Sequence, residues 1–137
     1  MRINKKIFIA CDTNSTTKVK NIIKHTNTKK LKIGYKFGLE FMNSTKGRQF
    51  VSKLRNKTVF VDLKLHDTVQ TMLSAVKALK DLKIDYLTVH ISSGLAALKA
   101  VKKVAGSRLR IVGVSTLTSL DNKDLKLIGY NRSIKNF

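Results

Sequence analysis

One stretch of the sequence reads Thr58-Val59-Phe60-Val61-Asp62-Leu63-Lys64-Leu65-His66-Asp67. Its first four residues are β-branched or aromatic, a composition typical of a buried strand. Because successive side chains of a strand point to opposite faces, Asp62 and Lys64 should lie side by side. A second carboxylate, Asp67, follows where a helical pattern begins. Opposite charges therefore gather at a strand-to-helix junction, which is where parallel α/β proteins build active sites.

Strand and helix patterns alternate along the whole chain. Apolar runs predict strands over residues 6–11, 31–37, 58–61, 86–91 and 109–114. Between them, apolar residues at helical spacing within 19–23, 50–54, 69–79 and 95–104 predict amphipathic helices. A short helical stretch is expected at 124–128. Strict alternation predicts a parallel sheet with crossover helices.

The ends of the predicted strands favour a barrel over an open sheet. No Gly-x-Gly-x-x-Gly turn follows the first strand, which argues against a dinucleotide-binding sheet. A polar or charged residue ends each unit, as in a barrel: Asp12, Lys36, Asp62 with Lys64, His90 and Ser119. Eight units need roughly 200 residues or more, whereas the chain has 137. We expect residues 1–137 to form one domain of the α/β class, a (β/α)8 TIM-type barrel truncated after about five units.

The composition excludes several protein classes. One cysteine argues against a disulfide framework. No apolar run approaches the roughly 20 residues of a membrane helix. The first residues lead into a strand instead of a signal peptide, so a cytoplasmic protein is expected.

The formal net charge of +20 suits an anionic partner. The lysines, however, are spread along every predicted helix and form no cluster. A specific nucleic-acid site is therefore not expected, although non-specific binding to polyanions is. A generally basic, solvated surface and a preference for an anionic ligand both stay open.

Five short motifs stand in fixed order at the ends of the predicted strands. They are Ala10-Cys11-Asp12, Lys36-Phe37-Gly38, Asp62-Leu63-Lys64-Leu65-His66-Asp67 with Thr71, Val89-His90-Ile91-Ser92-Ser93-Gly94 and Leu117-Thr118-Ser119. Together they closely resemble the orotidine 5′-phosphate decarboxylase family, over essentially the whole chain. The resemblance implies conversion of orotidine 5′-monophosphate (OMP) to UMP in pyrimidine biosynthesis, with no metal or other cofactor.

The resemblance also implies roles for single residues. The family's catalytic array of alternating charges has four counterparts: Lys36, Asp62, Lys64 and Asp67. Its substrate-binding residues also have four: Asp12, Lys36, Thr71 and Ser119. Lys64 matches the proton donor to C6, Asp12 the residue that holds the ribose hydroxyls, and Ser119 the one that meets the pyrimidine. Asp67 and Thr71 match residues that enter the neighbouring subunit's site in a homodimer.

These residue types suit the chemistry. Loss of CO2 leaves a carbanion at C6, which a fixed ammonium such as that of Lys64 can stabilise and protonate. Asp62 beside the substrate carboxylate would disfavour the ground state.

The chain departs from the family pattern in two places. The usual Asp-Ile-Pro-Asn-Thr reads Asp67-Thr68-Val69-Gln70-Thr71. Nothing before Phe137 matches strands six to eight, which carry the lid loop and the glutamine and arginine that grip the phosphate. We therefore expect weakened substrate binding. A second chain that supplies the missing strands is a candidate partner. Without those strands, the side chains of Ile7, Ile9 and Ile111, which are expected to face the barrel interior, should be exposed.

Other interpretations use the same residues. Taken singly, Asp62 and Lys64 could form a half-buried ion pair, Lys36 could be a solvated charge, and His90 a hydrogen-bonded core histidine. The chain as a whole could be a non-catalytic remnant or a basic binding protein. It could also be an aldolase like hexulose-6-phosphate synthase, of the same suprafamily, which shares Asp-x-Lys-x-x-Asp but uses Mg²⁺. His66 and Leu117-Thr118-Ser119 favour the decarboxylase.

Overall fold

The computed structural model describes residues 6–131 and residue 133. Within them the elements are β1 (Lys6–Ala10), α1 (Thr16–His25), β2 (Lys32–Gly38), α2 (Leu39–Asn43), α3 (Gly47–Lys53), β3 (Thr58–Leu65), α4 (Val69–Ala78), β4 (Tyr86–His90), α5 (Leu95–Ala105), β5 (Arg110–Val114) and α6 (Asn122–Leu127). The expectations about residues 1–5 and about Phe137 fall outside the described residues. In the part that is described, no helix has the length and apolar character needed to cross a membrane.

The five strands form one parallel sheet in the order β1-β2-β3-β4-β5. Each strand pairs with the next one along the chain, as the alternating pattern predicts. Because every crossover helix returns the chain to the same end, all five carboxyl ends lie along one edge of the sheet. The residues of the predicted motifs are thereby brought to that edge.

Helices cover one face of the sheet, and the hydrophobic core lies between the two layers. The strands contribute Tyr35, Phe37, Val59, Val61, Leu87 and Val89, and the helices contribute Val19, Met72, Val76 and Val101. The strand residues alternate along each strand, as the two-residue repeat of a pleated strand requires. The helix residues recur at helical spacing, so the amphipathic patterns predicted for α1, α4 and α5 are confirmed.

The other face of the sheet carries an aromatic cluster of Phe8, Phe60 and Tyr86. Their ring centroids lie between 5.0 and 5.8 Å apart, mostly in edge-to-face contact. The guanidinium of Arg110 lies 5.3 Å from the Tyr86 ring centroid, within the range of a cation–π contact. All three rings are only partly buried. This open face is the one that would line the interior of a closed barrel.

The predicted orientation of three isoleucines is wrong. Ile9 pairs with Tyr35 and Ile111 pairs with Leu87, and both partners are buried under the helices. Ile9 and Ile111 therefore pack against the core, and Ile7 shares their side of the sheet because it precedes Ile9 by two residues. The prediction assumed that the most apolar positions face inward, whereas the open face carries aromatic and charged residues.

Two short helices stand where the sequence predicts a single one. The helix α3 contains Phe50 and Val51 of the predicted pattern, and Leu54 is its C-cap. The five-residue α2 precedes it and buries Phe41 and Met42. A helix of five residues is too short to show a clear period. Gly47 permits the tight junction, because a Cβ at this position would lie 1.7 Å from the carbonyl oxygen of Phe41.

We expect the 137-residue chain, made alone, to self-associate. Within the described sheet, β1 and β5 are edge strands and the aromatic cluster is partly exposed, and both features favour pairing between chains. Light scattering after size-exclusion chromatography should give a mass that rises above 15.4 kDa with concentration. A mass of 15.4 kDa at every concentration would contradict this expectation.

Candidate active site

The carboxylate of Asp62 is the centre of a charge cluster on the open face. Its Oδ2 accepts hydrogen bonds from Nζ of Lys36 at 3.1 Å and from Nζ of Lys64 at 3.0 Å. Its Oδ1 accepts a hydrogen bond from the hydroxyl of Thr88 at 2.8 Å. Only 10% of the Asp62 side chain is exposed, against 29% for Lys36 and 37% for Lys64. The predicted adjacency of Asp62 and Lys64 is confirmed, and Lys36 joins them from β2.

A break in the strand pairing shapes this cluster. Val61 pairs with Leu87, but the next pair is Leu65 with Val89, so residues 62–64 of β3 stand opposite a single residue of β4. Lys64 has a φ of 48°, in the left-handed region that non-glycine residues rarely adopt. β3 thus extends four residues beyond the predicted apolar run and bulges where its charged residues lie.

The cluster keeps Asp62 ionised. Burial acts to raise the pKa of Asp62, but hydrogen bonds from Lys64, Thr88 and Lys36, with the charge of Lys36, outweigh burial and lower the pKa below its usual value. The carboxylate is therefore a fixed negative charge near neutral pH.

A cleft of about 510 Å³ opens over the cluster, which is within the usual size range of small-molecule sites. Lys36, Asp62 and Lys64 form one side of it. The segment after β5 forms another side and contributes Ser119, which is exposed. The structure therefore brings together four of the residues selected from the sequence.

Asp12 lies close by, beyond the end of β1, but it does not line this cleft. Its Oδ1 is 3.8 Å from the position that a Cβ on Gly38 would occupy. The preceding residue, Cys11, is fully buried, and burial together with the charge of Asp12 raises the thiol pKa to about 11. Cys11 is thus a small core residue and an unreactive thiol.

Asp67 and Thr71 lie apart from the cleft, at the start of α4, and both are exposed. Hydrogen bonds from the backbone N–H of Thr68 and the hydroxyl of Thr71 lower the pKa of Asp67. These two residues present an ionised carboxylate and a hydroxyl on the surface of the chain.

Sequence reasoning missed Thr88 and the contact between two histidines. Thr88 is 4% exposed. It is a polar residue in an apolar strand and lies two residues after Tyr86, so the sequence could have placed its side chain on the same, open face of the sheet. The rings of His66 and His90 lie 5.1 Å apart. Desolvation, followed by the charges of His66 and Lys64, lowers the pKa of His90, which favours a neutral imidazole.

Metal-ligand side chains are scattered in this fold. Within residues 6–131 and 133, His, Cys, Asp and Glu side chains nowhere form a group of three or more that could hold a metal ion.

Comparison with known proteins identifies the family of the chain. The family model described as Orotidine 5′-phosphate decarboxylase / HUMPS family matches residues 5–136. The chain belongs to this family. The predicted family is thereby confirmed.

Curated relatives of this chain include two proteins named orotidine 5′-phosphate decarboxylase. The one from Ehrlichia canis is 44% identical over 101 residues, which are 72% of this chain and 44% of that protein. The one from Wolbachia sp. subsp. Brugia malayi is 38% identical over 133 residues, which are 94% of this chain and 57% of that protein. The chain thus spans about half the length of the curated family members it matches.

A solved structure confirms the fold. The crystal structure of orotidine 5′-phosphate decarboxylase from Lactobacillus acidophilus superposes with a TM-score of 0.84 at 23% identity, over 96% of this chain and 62% of that chain. At this identity the likeness establishes the architecture alone. The five units are those of a partial α/β barrel, as predicted.

We expect Asp62→Asn to destabilise the chain by about 2 kcal/mol at pH 7, because it leaves two ammonium groups without their counter-charge. The folded pKa of Asp62 is below the unfolded value of about 4, so this stabilisation is present above pH 4 and disappears as the pH falls through the folded pKa. Urea unfolding in dilute solution between pH 2 and 7 measures both effects.

Asp81→Asn is the matched control, because Asp81 pairs with Arg48 on the surface and should contribute less than about 1 kcal/mol. Equal losses in the two variants, or a loss for Asp62→Asn that does not change with pH, would show that the cluster does not hold an ionised carboxylate.

Proposed function

We propose that this chain provides the catalytic charge array for decarboxylation of OMP to UMP, in de novo pyrimidine biosynthesis and without a metal or other cofactor. One observation carries the proposal. A buried carboxylate, Asp62, is held between the ammonium groups of Lys36 and Lys64 under an open cleft, in a chain of this family.

The geometry supports a division of roles. Asp62 places a fixed negative charge where the substrate carboxylate would lie, so that loss of CO2 relieves repulsion. The Lys64 side chain is 37% exposed and lines the cleft. Its ammonium group would stabilise the carbanion at C6 and then donate its proton there. Lys36 binds the same oxygen of Asp62 as Lys64 and lines the cleft, where it would contact the substrate. Both ammonium groups are already oriented before substrate binds.

The remaining contacts follow from the positions of the matching residues. Ser119 lines the same cleft, which suits contact with the pyrimidine. Asp12 lies beyond the end of β1, at the same edge of the sheet, which suits binding of the ribose hydroxyls.

We also propose a homodimer with a shared site. Asp67 and Thr71 are exposed and lie outside the cleft of their own chain. In the dimer each pair would enter the partner's site, and the ionised Asp67 would complete the alternating array.

The other half of the barrel is part of this proposal. Residues 1–137 would be one domain of five units, and three further units, on the same polypeptide or on a second chain, would cover the open face and bind the phosphate. Phosphate sites of TIM barrels lie after strands seven and eight. A reducing cytoplasm suits the free, buried thiol of Cys11.

A Lys64→Ala variant tests the catalytic role. The test protein is a hybrid in which this chain replaces the matching 57% of the Wolbachia relative, so that the barrel is complete. We expect Lys64→Ala to lower kcat for OMP by at least about 10³-fold, because one ammonium supplies both charge stabilisation and the proton. Lys99→Ala, on the exposed surface of α5, should leave kcat unchanged. Near-normal turnover by Lys64→Ala would overturn the proposal.

The second candidate is a hexulose-6-phosphate synthase-like aldolase, because the name of the matching family covers more than the decarboxylase. The two candidates differ in their need for Mg²⁺. We expect the hybrid to turn over OMP at the same rate in EDTA and in added Mg²⁺. An aldolase activity that EDTA abolishes, with no OMP turnover, would favour the second candidate.

A further inference from the structure

Thr88 is the only β4 residue opposite the bulged residues 62–64 of β3. Its hydroxyl makes two hydrogen bonds across the break in the pairing. It accepts the backbone N–H of Lys64 at 2.8 Å and donates to Oδ1 of Asp62 at 2.8 Å. One buried side chain thus connects the backbone of one charged residue to the carboxylate of another.

The first hydrogen bond satisfies a group that the bulge would leave unpaired. In a regular parallel pair, the N–H of a strand residue reaches a carbonyl of its neighbour. Here three residues face one, so the ladder lacks a carbonyl for Lys64, and a buried N–H without a partner is unfavourable. The φ of 48° at Lys64 adds to this cost. The Thr88 oxygen compensates by acting as the missing acceptor.

The second hydrogen bond fixes how the Asp62 carboxylate is shared. Thr88 takes Oδ1, and both ammonium groups bind Oδ2. A hydroxyl has one proton to donate and lone pairs to accept with, so Thr88 can make both contacts at once. Serine could make the same two, whereas valine, which has the same shape, could make neither.

We propose that Thr88 is a positioning residue that sets the Lys64 backbone and the Asp62 carboxylate of the charge array through its single hydroxyl. Its consequence for catalysis rests on the function proposed above. The effect of Thr88 on the charge cluster in the absence of substrate is independent of that function and can be measured directly.

The test compares three variants of the 137-residue chain by urea unfolding in dilute solution at a series of pH values. Thr88→Val should lower the urea concentration at the unfolding midpoint at pH 7. The difference in midpoint between this variant and wild type should become smaller as the pH falls and Asp62 is protonated. Thr88→Ser should follow the wild-type curve. Thr58→Val, the same substitution on the same sheet face, should not change the pH dependence.

Hydrogen exchange provides a second readout and covers the case in which Thr88→Val does not fold. The Lys64 amide should exchange as slowly in Thr88→Ser as in wild type, and many-fold faster in a folded Thr88→Val, relative to the Val61 amide. Two results would overturn the proposal. The first is a Thr88→Val variant whose urea midpoint is lowered equally at every pH and whose Lys64 amide exchanges as slowly as in wild type. The second is a Thr88→Ser variant that loses either the wild-type pH profile or the slow exchange of the Lys64 amide. Loss of decarboxylation alone would bear on the proposed function and not on Thr88.

Discussion

The arrangement of this site depends on one buried carboxylate. Asp62 is removed from water by the sheet, which by itself would favour its neutral form, and it stays charged because three donors surround it. Two of them, the ammonium groups of Lys36 and Lys64, bind the same carboxylate oxygen, which balances their charges at the edge of the cleft. Removing the charge would therefore release both ammonium groups, so the cluster is a unit and not a sum of pairs.

Strand pairing explains why these groups meet. Lys36 and Asp62 come from neighbouring parallel strands, while Lys64 lies two residues beyond Asp62 on a bulge. The bulge leaves the backbone N–H of Lys64 without a carbonyl partner, which is unfavourable. The fold tolerates the bulge because the Thr88 hydroxyl on β4 accepts this N–H. Strain at a functional position, compensated by a neighbouring side chain, is a recurrent feature of active sites.

The parallel sheet with its crossover helices could be predicted from the sequence, because few folds are compatible with apolar strands that alternate with amphipathic helices. The adjacency of Asp62 and Lys64 also followed from a two-residue spacing. The bulge could not be predicted, since it depends on the register between β3 and β4, and the role of Thr88 was hidden for the same reason. The side of the sheet that Ile9 faces was predicted wrongly, because hydrophobicity alone does not say which face the helices cover.

In the proposed reaction, the Lys64 ammonium exchanges a proton with C6 of the nucleotide. By microscopic reversibility, a group that protonates the carbanion also removes the C6 proton of UMP. The most direct measurement is the decay of the C6 proton NMR signal of UMP in D2O with the hybrid protein. We expect exchange with Lys64 present and none with Lys64→Ala. Exchange that Lys64→Ala leaves unchanged would contradict it.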